Sequence, residues 1–388
     1  MGRAVGEGLH IVFAGGGTGG HLYPALSVAR ELRRRVPGVR ITFFGSDRRI
    51  DETVLGGEAC EFVAQSLPRL TRAPWRWPGM LAKLRVAQVS CRRWITTHCP
   101  AVVIGSGGMS SLPAMLEGRR AGAATVLFNP DALPGRANRF LASRVDRVLV
   151  QWEQSRAHFP VATRVDVTGC PVRAEFLNEE RPDPRRFGLK GGKLTLLVTG
   201  ASLGARSVNR VVTACLDRIE RRGDRWQVLH LTGEADYAEV KRAYAGRPVQ
   251  ATVLSFTHEM ASALRLADLV VARAGASTLA ELTIVGRASI LMPYPYHRDQ
   301  HQRMNAGVLT DSGAAELVDD RVDPLRNAER FGAALEALMD DDARRMTMAV
   351  RAARLGRRDA ADRVADVVLE CAGARALSNR NRAESVMV

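Results

Sequence analysis

The chain has 388 residues, 46% of them hydrophobic and 25% charged, a balance that excludes disordered and collagen-like chains. That length exceeds what one core usually serves, so two domains are expected. The formal net charge of +15 asks for an anionic partner such as nucleic acid, an anionic membrane or a phosphorylated substrate; only four of the 56 basic residues are Lys, which leaves an arginine-rich genome as a competing explanation.

The cysteines (Cys60, Cys91, Cys99, Cys170, Cys215 and Cys371) are scattered, with no C-x-x-C pair, as in a reduced cytosolic protein with inert buried thiols. The N-terminus lacks a basic region followed by a long apolar run, so no signal peptide is expected. No apolar stretch approaches the ~20 residues needed to span a bilayer, so membrane contact would be peripheral.

Residues 1–8 read as a loose tail, and Leu9–Ala14 (LHIVFA) as a buried parallel strand. The turn GGGTGGH, Gly15–His21, leads into a helix with Pro24 near its start and Leu22, Ala25, Leu26, Ala29 and Leu32 on one face. Strand, Gly-rich turn and helix make a phosphate cradle, and a dinucleotide site competes for the same pattern. Against it, the second strand, ITFFGSD, ends in no clear ribose carboxylate beyond Ser46-Asp47. His21 closes the turn and has two readings, a loop-bracing residue or a base of near-neutral pKa for a hydroxyl proton.

Residues 67–94 cluster Trp75, Trp77, Met80 and Leu81 among Arg69, Arg72, Arg76, Lys83 and Arg85. Rings interleaved with cations suit an anionic bilayer surface or single-stranded nucleic acid; a helix with its apolar side on the core fits equally. Ala101–Gly105 is a further strand, running into the Gly-rich turn SGGMSSLPAML. VLFNPDALPGRANR (126–139) and VDVTGCPVR (165–173) follow, the latter with Pro171 fixing the backbone at a domain junction. Arg173 is either a diphosphate contact or a linker-bracing ion pair.

The pattern then restarts. Leu194–Thr199 is a strand, and GASLGARSVN a Gly-rich turn into a helix, where Ser202 can hold phosphate, cap the helix, or do both. This echo of the N-terminal half is the mark of two Rossmann-like domains. After a strand at Val228–Thr232 comes the apolar run Ala267–Val271, the Gly275 turn, and a helix with Ala276, Leu279, Ala280 and Thr283 at helical spacing. That helix N-terminus favours an anion; Glu281, about two turns in, would repel it and instead suits a neutral diol such as a ribose. Another strand, Ala288–Met292, precedes a polar loop with His297, Asp299, His301 and Gln302. Phosphate end, diol-binding carboxylate and amide–imidazole loop together suit a nucleotide-sugar. Residues 328–339 and 343–371 are helical patterns, and 373–388 are polar and expected to be disordered.

These motifs together resemble the MurG family of N-acetylglucosaminyltransferases (glycosyltransferase family 28) over most of the chain. The resemblance rests on GGGTGGHLYPALSVARELRRR, SGGMSSLPAML, PGRANR, GCPVR, GASLGAR and the stretch from Ala272 to Asn305. It implies a GT-B fold: two Rossmann-like α/β domains, 9–172 for the acceptor and membrane, 173–355 for the donor, facing an interdomain cleft. Residues 356–372 would form a helix crossing back to the first domain. It implies an inverting hexosyltransferase that moves N-acetylglucosamine from UDP-N-acetylglucosamine to the undecaprenyl-pyrophosphoryl-muramyl-pentapeptide of peptidoglycan synthesis. Cofactors would be none, with helix dipoles and basic side chains on the pyrophosphate in place of a metal, so a metal site at His297, Asp299 and His301 is disfavoured. The protein would dock peripherally on the cytoplasmic face of the cell membrane, against an anionic inner leaflet, through Trp75, Trp77, Met80 and Leu81, and would bind no nucleic acid.

By the same resemblance, Thr18, Gly19 and Gly20 contact donor sugar or acceptor, and His21 is the candidate base. Ser202, Arg173 and the helix start at Ala276, Ser277, Thr278, Leu279 and Ala280 serve the diphosphate end. Thr257 lies where the family's backbone meets uracil; Glu281, His301 and Gln302 bind the ribose and sugar. The chain departs from the family at Met109 (usually aromatic), Cys170 (Asn), Ala201 (Gly), the basic acceptor loop, and Asp131, which replaces a sugar-contacting Asn. Asp131 is thus a variant sugar contact, a sign of drifted specificity, or a rival base. The departures keep open a family member with a different lipid or glycan acceptor; a non-catalytic membrane or nucleic-acid binder and an NAD-dependent oxidoreductase fit less of the pattern.

Overall fold

A computed structural model describes residues 8–16, 19–47, 49–65, 67, 77–201, 203–296, 299–321 and 323–386, without the side chains of 49, 50, 77, 324, 325 and 376–386. The chain divides into two compact units, one made of 1–171 with 359–388, the other of 172–358.

In the first unit, β1 (His10–Ala14), β2 (Arg40–Ser46), β3 (Glu61–Gln65), β4 (Val102–Gly105), β5 (Ala124–Asn129), β6 (Arg147–Val150) and β7 (Val165–Val167) form one parallel sheet in the order β3-β2-β1-β4-β5-β6-β7. The central strands are apolar on both faces because helices cover both: β1, β4 and β5 are buried at every residue. The crossovers are α1 (Gly19–Arg35), α2 (Arg49–Leu55), α3 (Trp77–His98), α4 (Leu112–Arg120) and α5 (Arg136–Ala142). Leu22, Ala25, Leu26, Ala29 and Leu32 of α1 are all buried. The helix starts five residues before Pro24, which therefore sits in the second turn and removes one main-chain hydrogen bond there.

In the second unit, β8 (Leu194–Thr199), β9 (Trp226–Leu231), β10 (Ala251–Leu254), β11 (Leu269–Ala272), β12 (Ser289–Leu291) and β13 (Ala315–Leu317) pair in parallel in the order β10-β9-β8-β11-β12-β13. They are covered by α6 (Arg206–Ala214), α7 (Leu216–Glu220), α8 (Tyr237–Tyr244), α9 (Met260–Leu266), α10 (Ala276–Val285), α11 (His301–Asp311), α12 (Pro324–Asp340) and α13 (Asp342–Leu355). Val198, Val208, Trp226, Val271, Phe331 and Leu335 share this core, and the buried Trp226 indole donates to the Met339 carbonyl at 3.2 Å.

The final helix, α14 (Ala360–Val386), clusters with the first unit, where Arg35 of α1 pairs with Asp362 at 2.8 Å and also meets Asp366. Two expectations change here. The continuous pattern at 343–371 is interrupted at Gly356, whose backbone is extended (ψ 136°) and which packs so tightly on the Thr283 carbonyl that a Cβ would collide with it. The helix then runs past residue 372 to Val386: no proline follows, and Ala, Leu, Arg and Glu dominate the remainder.

Both sheets reverse their strand order at the centre, between β1 and β4 and between β8 and β11. A crevice opens at the carboxyl ends of the strands at each such point, where doubly wound sheets bind ligands.

The loop after β8 is built for close approach. Gly204 has φ +76°, and a Cβ there would collide with the Thr232 carbonyl. Ala201 occupies the same left-handed region at φ 64° without being glycine. Left-handed backbone costs an ordinary residue ~1–2 kcal/mol, partly offset by the greater freedom of glycine in the unfolded chain. Ala201→Gly is therefore expected to stabilise the protein by about 0.5–1 kcal/mol, read as a rise in the denaturant midpoint with unchanged slope.

Candidate functional site

In the first unit the crevice is lined by the loops after β1, β4 and β5. His21 lies in the first turn of α1, and its Cε1 stands 3.7 Å from where a Cβ on Gly108, in the loop after β4, would sit. Burial pulls the His21 imidazole below 6.5; Asp131, the Gly16 backbone and Asp51 act in the other direction, favouring the proton. At neutral pH the ring is therefore neutral and able to accept a proton.

Asp131 is held by its main chain. Its carbonyl accepts from Asn129 Nδ2 at 2.7 Å and from Ser155 Oγ at 3.4 Å. Asn129 Oδ1 in turn accepts from Asn138 Nδ2 at 2.9 Å, so the PGRANR helix braces the end of β5. Asp51, fully buried at the start of α2, accepts from the Ser46 amide at 2.6 Å and the Ser46 hydroxyl at 2.9 Å. It also lies directly under the Gly-rich turn: a Cβ on Gly16 would run into its carboxylate. The carboxylate after β2 is thus Asp51, acting on the loop, whereas Asp47 is exposed. Gly19 and Gly20 open α1; Thr18 lies outside the described residues.

In the second unit α10 starts at Ala276, with Gly275 as its N-cap, directly after β11. Ser277 and Thr278 are partly exposed in the first turn, while Leu279 and Ala280 are buried against the core. Glu281 keeps 19% side-chain exposure and its Oε1 lies 3.9 Å from Arg173 Nη2; Arg173 also pairs with Glu175 at 3.2 Å and lies 5.1 Å over the Phe176 ring. Burial pushes the Glu281 carboxyl up to about 7, opposed by Arg173 and reinforced by Glu175. Gln302, in the first turn of α11, accepts from the Tyr294 amide at 2.9 Å through its side-chain oxygen. His301 Nδ1 meets Asp299 Oδ1 at 2.9 Å. Thr257 Oγ1 accepts from the Glu259 amide at 3.0 Å, closing a turn beside the half-exposed Phe256. Ser202 and His297 lie outside the described residues.

Sequence reasoning missed several residues that shape these crevices. Asp51, Asn129 and Asn138 support the first. Arg273, at the exit of β11, and Asn305 of α11, which donates to the Ala274 carbonyl at 3.2 Å, support the second. Asn138 was visible inside PGRANR; the partners of Arg273 and the packing of Asp51 under Gly16 were not, since contacts across the fold leave no local pattern.

On α3 the exposed apolar residues are Leu81, Val86 and Val89, with Met80 half-buried. Trp75 lies outside the described residues, as does the side chain of Trp77. Among the described residues no helix is long and apolar enough to cross a membrane.

Two parallel doubly wound sheets, each with a Gly-rich turn at its switch point, are the architecture of the GT-B fold. The model of the glycosyltransferase family 28 N-terminal domain matches residues 11–150, and that of its C-terminal domain residues 195–364. The UDP-N-acetylglucosamine–N-acetylmuramyl-(pentapeptide) pyrophosphoryl-undecaprenol N-acetylglucosamine transferase of Desulforamulus reducens is 35% identical over 367 residues, 91% of this chain and 96% of its own length. The protein of the same name from Desulforudis audaxviator is 35% identical over 377 residues, 94% of this chain and 99% of its own. The crystal structure of Acinetobacter baumannii MurG aligns with a TM-score of 0.75 at 25% identity, covering 93% of this chain and 99% of that one. The chain belongs to glycosyltransferase family 28.

The raised Glu281 carboxyl has a pH signature. Its folded value, about 7, lies above the 4.5 of an unperturbed carboxyl, so the folded state holds the proton more tightly and stability falls as pH rises between those values. Glu281→Gln is expected to be more stable than the parent by about 2 kcal/mol at pH 8, a difference that fades by pH 4.5. Denaturant unfolding of both proteins across this range measures it.

Proposed function

We propose that this family 28 enzyme transfers N-acetylglucosamine from UDP-N-acetylglucosamine to the lipid-pyrophosphate-linked N-acetylmuramyl-pentapeptide, as its relatives' names describe. The observation that carries the residue assignment is the strand–Gly275–α10 turn with Glu281 and Arg173 beside it. A nucleotide-sugar needs that combination. The N-terminal amides of α10 and the Arg173 guanidinium face a diphosphate, while a carboxylate accepts from the ribose diol. Thr257 and the Phe256 backbone take the uracil edge, Gln302 and His301 the sugar hydroxyls, and Ser202 the phosphate.

The first unit takes the acceptor. His21 removes the proton from its hydroxyl, the hydroxyl oxygen forms the new bond to the anomeric carbon, and the bond from that carbon to the UDP oxygen breaks with inversion. The electron pair leaves on the diphosphate, which Arg173 and the α10 terminus stabilise. Asp131 supports the imidazolium that forms; as the group nearest His21 in electrostatic effect after burial, it fits that role better than the role of base. Thr18, Gly19 and Gly20 contact the donor sugar or the acceptor. The second-unit helix start at Ser277 and Thr278 binds phosphate, and Ala276, Leu279 and Ala280 seat it on the core.

We also assign the exposed face of α3 to an anionic membrane surface. Leu81, Val86 and Val89 stand out among Lys83, Arg85, Arg92 and Arg93, and the net charge of the chain is of the right sign. Met80 and the two tryptophans, Trp75 and Trp77, extend that stripe in sequence.

UDP release from UDP-N-acetylglucosamine with a short-chain lipid-linked muramyl-pentapeptide tests the reading. Release is expected to require the acceptor. His21→Ala is expected to lower kcat about 10²–10⁴-fold, and the acid limb of the parent's kcat/KM profile to fall below the ordinary histidine value of 6.5. Glu281→Gln is expected to raise the donor KM about 10–100-fold, the loss of charge-assisted hydrogen bonds. Acceptor-independent hydrolysis, or full activity in His21→Ala, would overturn it.

A further inference from the structure

Arg273 leaves β11 at the switch point of the second sheet, yet its guanidinium is directed inward and is almost fully buried. Nη1 donates to the Met292 carbonyl at 2.9 Å, to the Pro293 carbonyl at 3.2 Å and to Asp320 Oδ2 at 2.8 Å. Nη2 donates to Ser207 Oγ at 2.7 Å. Ser207 in turn donates to the same Asp320 oxygen at 2.5 Å, and Asn327 holds the other Asp320 oxygen at 3.1 Å. Asn327 Oδ1 also accepts from the Arg321 amide at 3.0 Å.

These groups come from four segments, each following a different strand at the carboxyl end of one sheet. Arg273 is the exit of β11 and lies three residues before α10. Met292 and Pro293 follow β12 and lead to Tyr294 and Gln302. Ser207 is in the first turn of α6, behind the Gly-rich loop after β8. Asp320 follows β13. A planar five-donor fork can tie such segments together at fixed angles, which a lysine cannot do.

We propose that Arg273, Ser207 and Asp320 form a clamp that positions the donor site: the buried guanidinium sets the loops after β8, β11 and β12 against one another so that phosphate, ribose and sugar contacts arrive in register. Arg273 is a positioning residue in this scheme. Its donors face protein acceptors, and the diphosphate is left to Arg173 and the helix terminus. The proposal rests on reading the second unit as the donor unit.

Arg273→Lys keeps the charge and loses the fork; Ser207→Ala removes only the bridging hydroxyl and is the milder variant should the first fold poorly. Calorimetric binding of UDP to parent and variants is the first measurement, with steady-state kinetics beside it. For folded variants, UDP affinity is expected to fall and the donor KM to rise about 10–100-fold for Arg273→Lys, and several-fold for Ser207→Ala. The acceptor KM is expected to stay unchanged, and kcat at saturating donor to stay within a few-fold. Amide exchange is expected to quicken at 203–206, 292–296 and 319–321 and not in β8 or β11. A parent protein that binds no UDP would remove the donor reading and this proposal with it. A parent that binds UDP alongside folded variants that bind it equally well would overturn the clamp alone, as would a loss confined to thermal stability.

Discussion

A parallel strand can return only by a crossover, and a crossover must lie on one face or the other of its sheet. At the centre of each sheet here, successive connections leave in opposite directions, and two adjacent strand ends are left without a loop bridging them. Everything chemical in the chain depends on that constraint. It places Ala14 beside Gly105 in one sheet and Thr199 beside Ala272 in the other; small residues follow the first three directly, and Ala274 and Gly275 follow the last after Arg273, so that backbone amides can approach a ligand. The surrounding side chains then differentiate two similar scaffolds. One crevice carries a neutral imidazole among carboxylates, suited to taking a proton. The other carries a helix terminus, an arginine and a carboxylate, suited to holding an anion and a diol.

The two crevices handle buried charge in different ways. Asp51 is fully buried and accepts from the amide and the hydroxyl of Ser46, which tie it to the end of β2 beneath the Gly-rich turn. Asp320 is neutralised by Arg273 and saturated by Ser207 and Asn327. Among the described residues the counter-ion of Glu281 is the distant Arg173, and burial makes its carboxyl reluctant to ionise. An incompletely satisfied carboxylate in a ligand crevice is what a hydroxyl-rich ligand would complete.

How much of this was legible from the chain alone follows from the range of the interactions. Strand, Gly-rich turn and helix are contiguous, so LHIVFA-GGGTGGH, LTLLVT-GASLGAR and ADLVVARAGAST announced both sheets and both crevices, and the repeat announced two units. The Glu281 carboxylate was legible because its turn, its helix and the carboxylate itself lie within a few residues. Contacts spanning long separations were not legible: Asp51 under Gly16 and Arg273 on Asp320. The end of α14 was missed because polar residues read as a tail, although none of them forbids a helix.

The return of the last helix makes the second unit an insertion within the first. The sheet of the first unit is complete by Val167, yet Asp362 and Asp366 reach Arg35, and Glu370 reaches Arg147, only from the far end of the polypeptide. During synthesis the inserted unit, 172–358, emerges whole while the unit begun earlier still lacks its final layer. The first unit to start is therefore the last to close, and a ribosome that stops short of α14 releases a chain with a finished second unit and an uncovered first one.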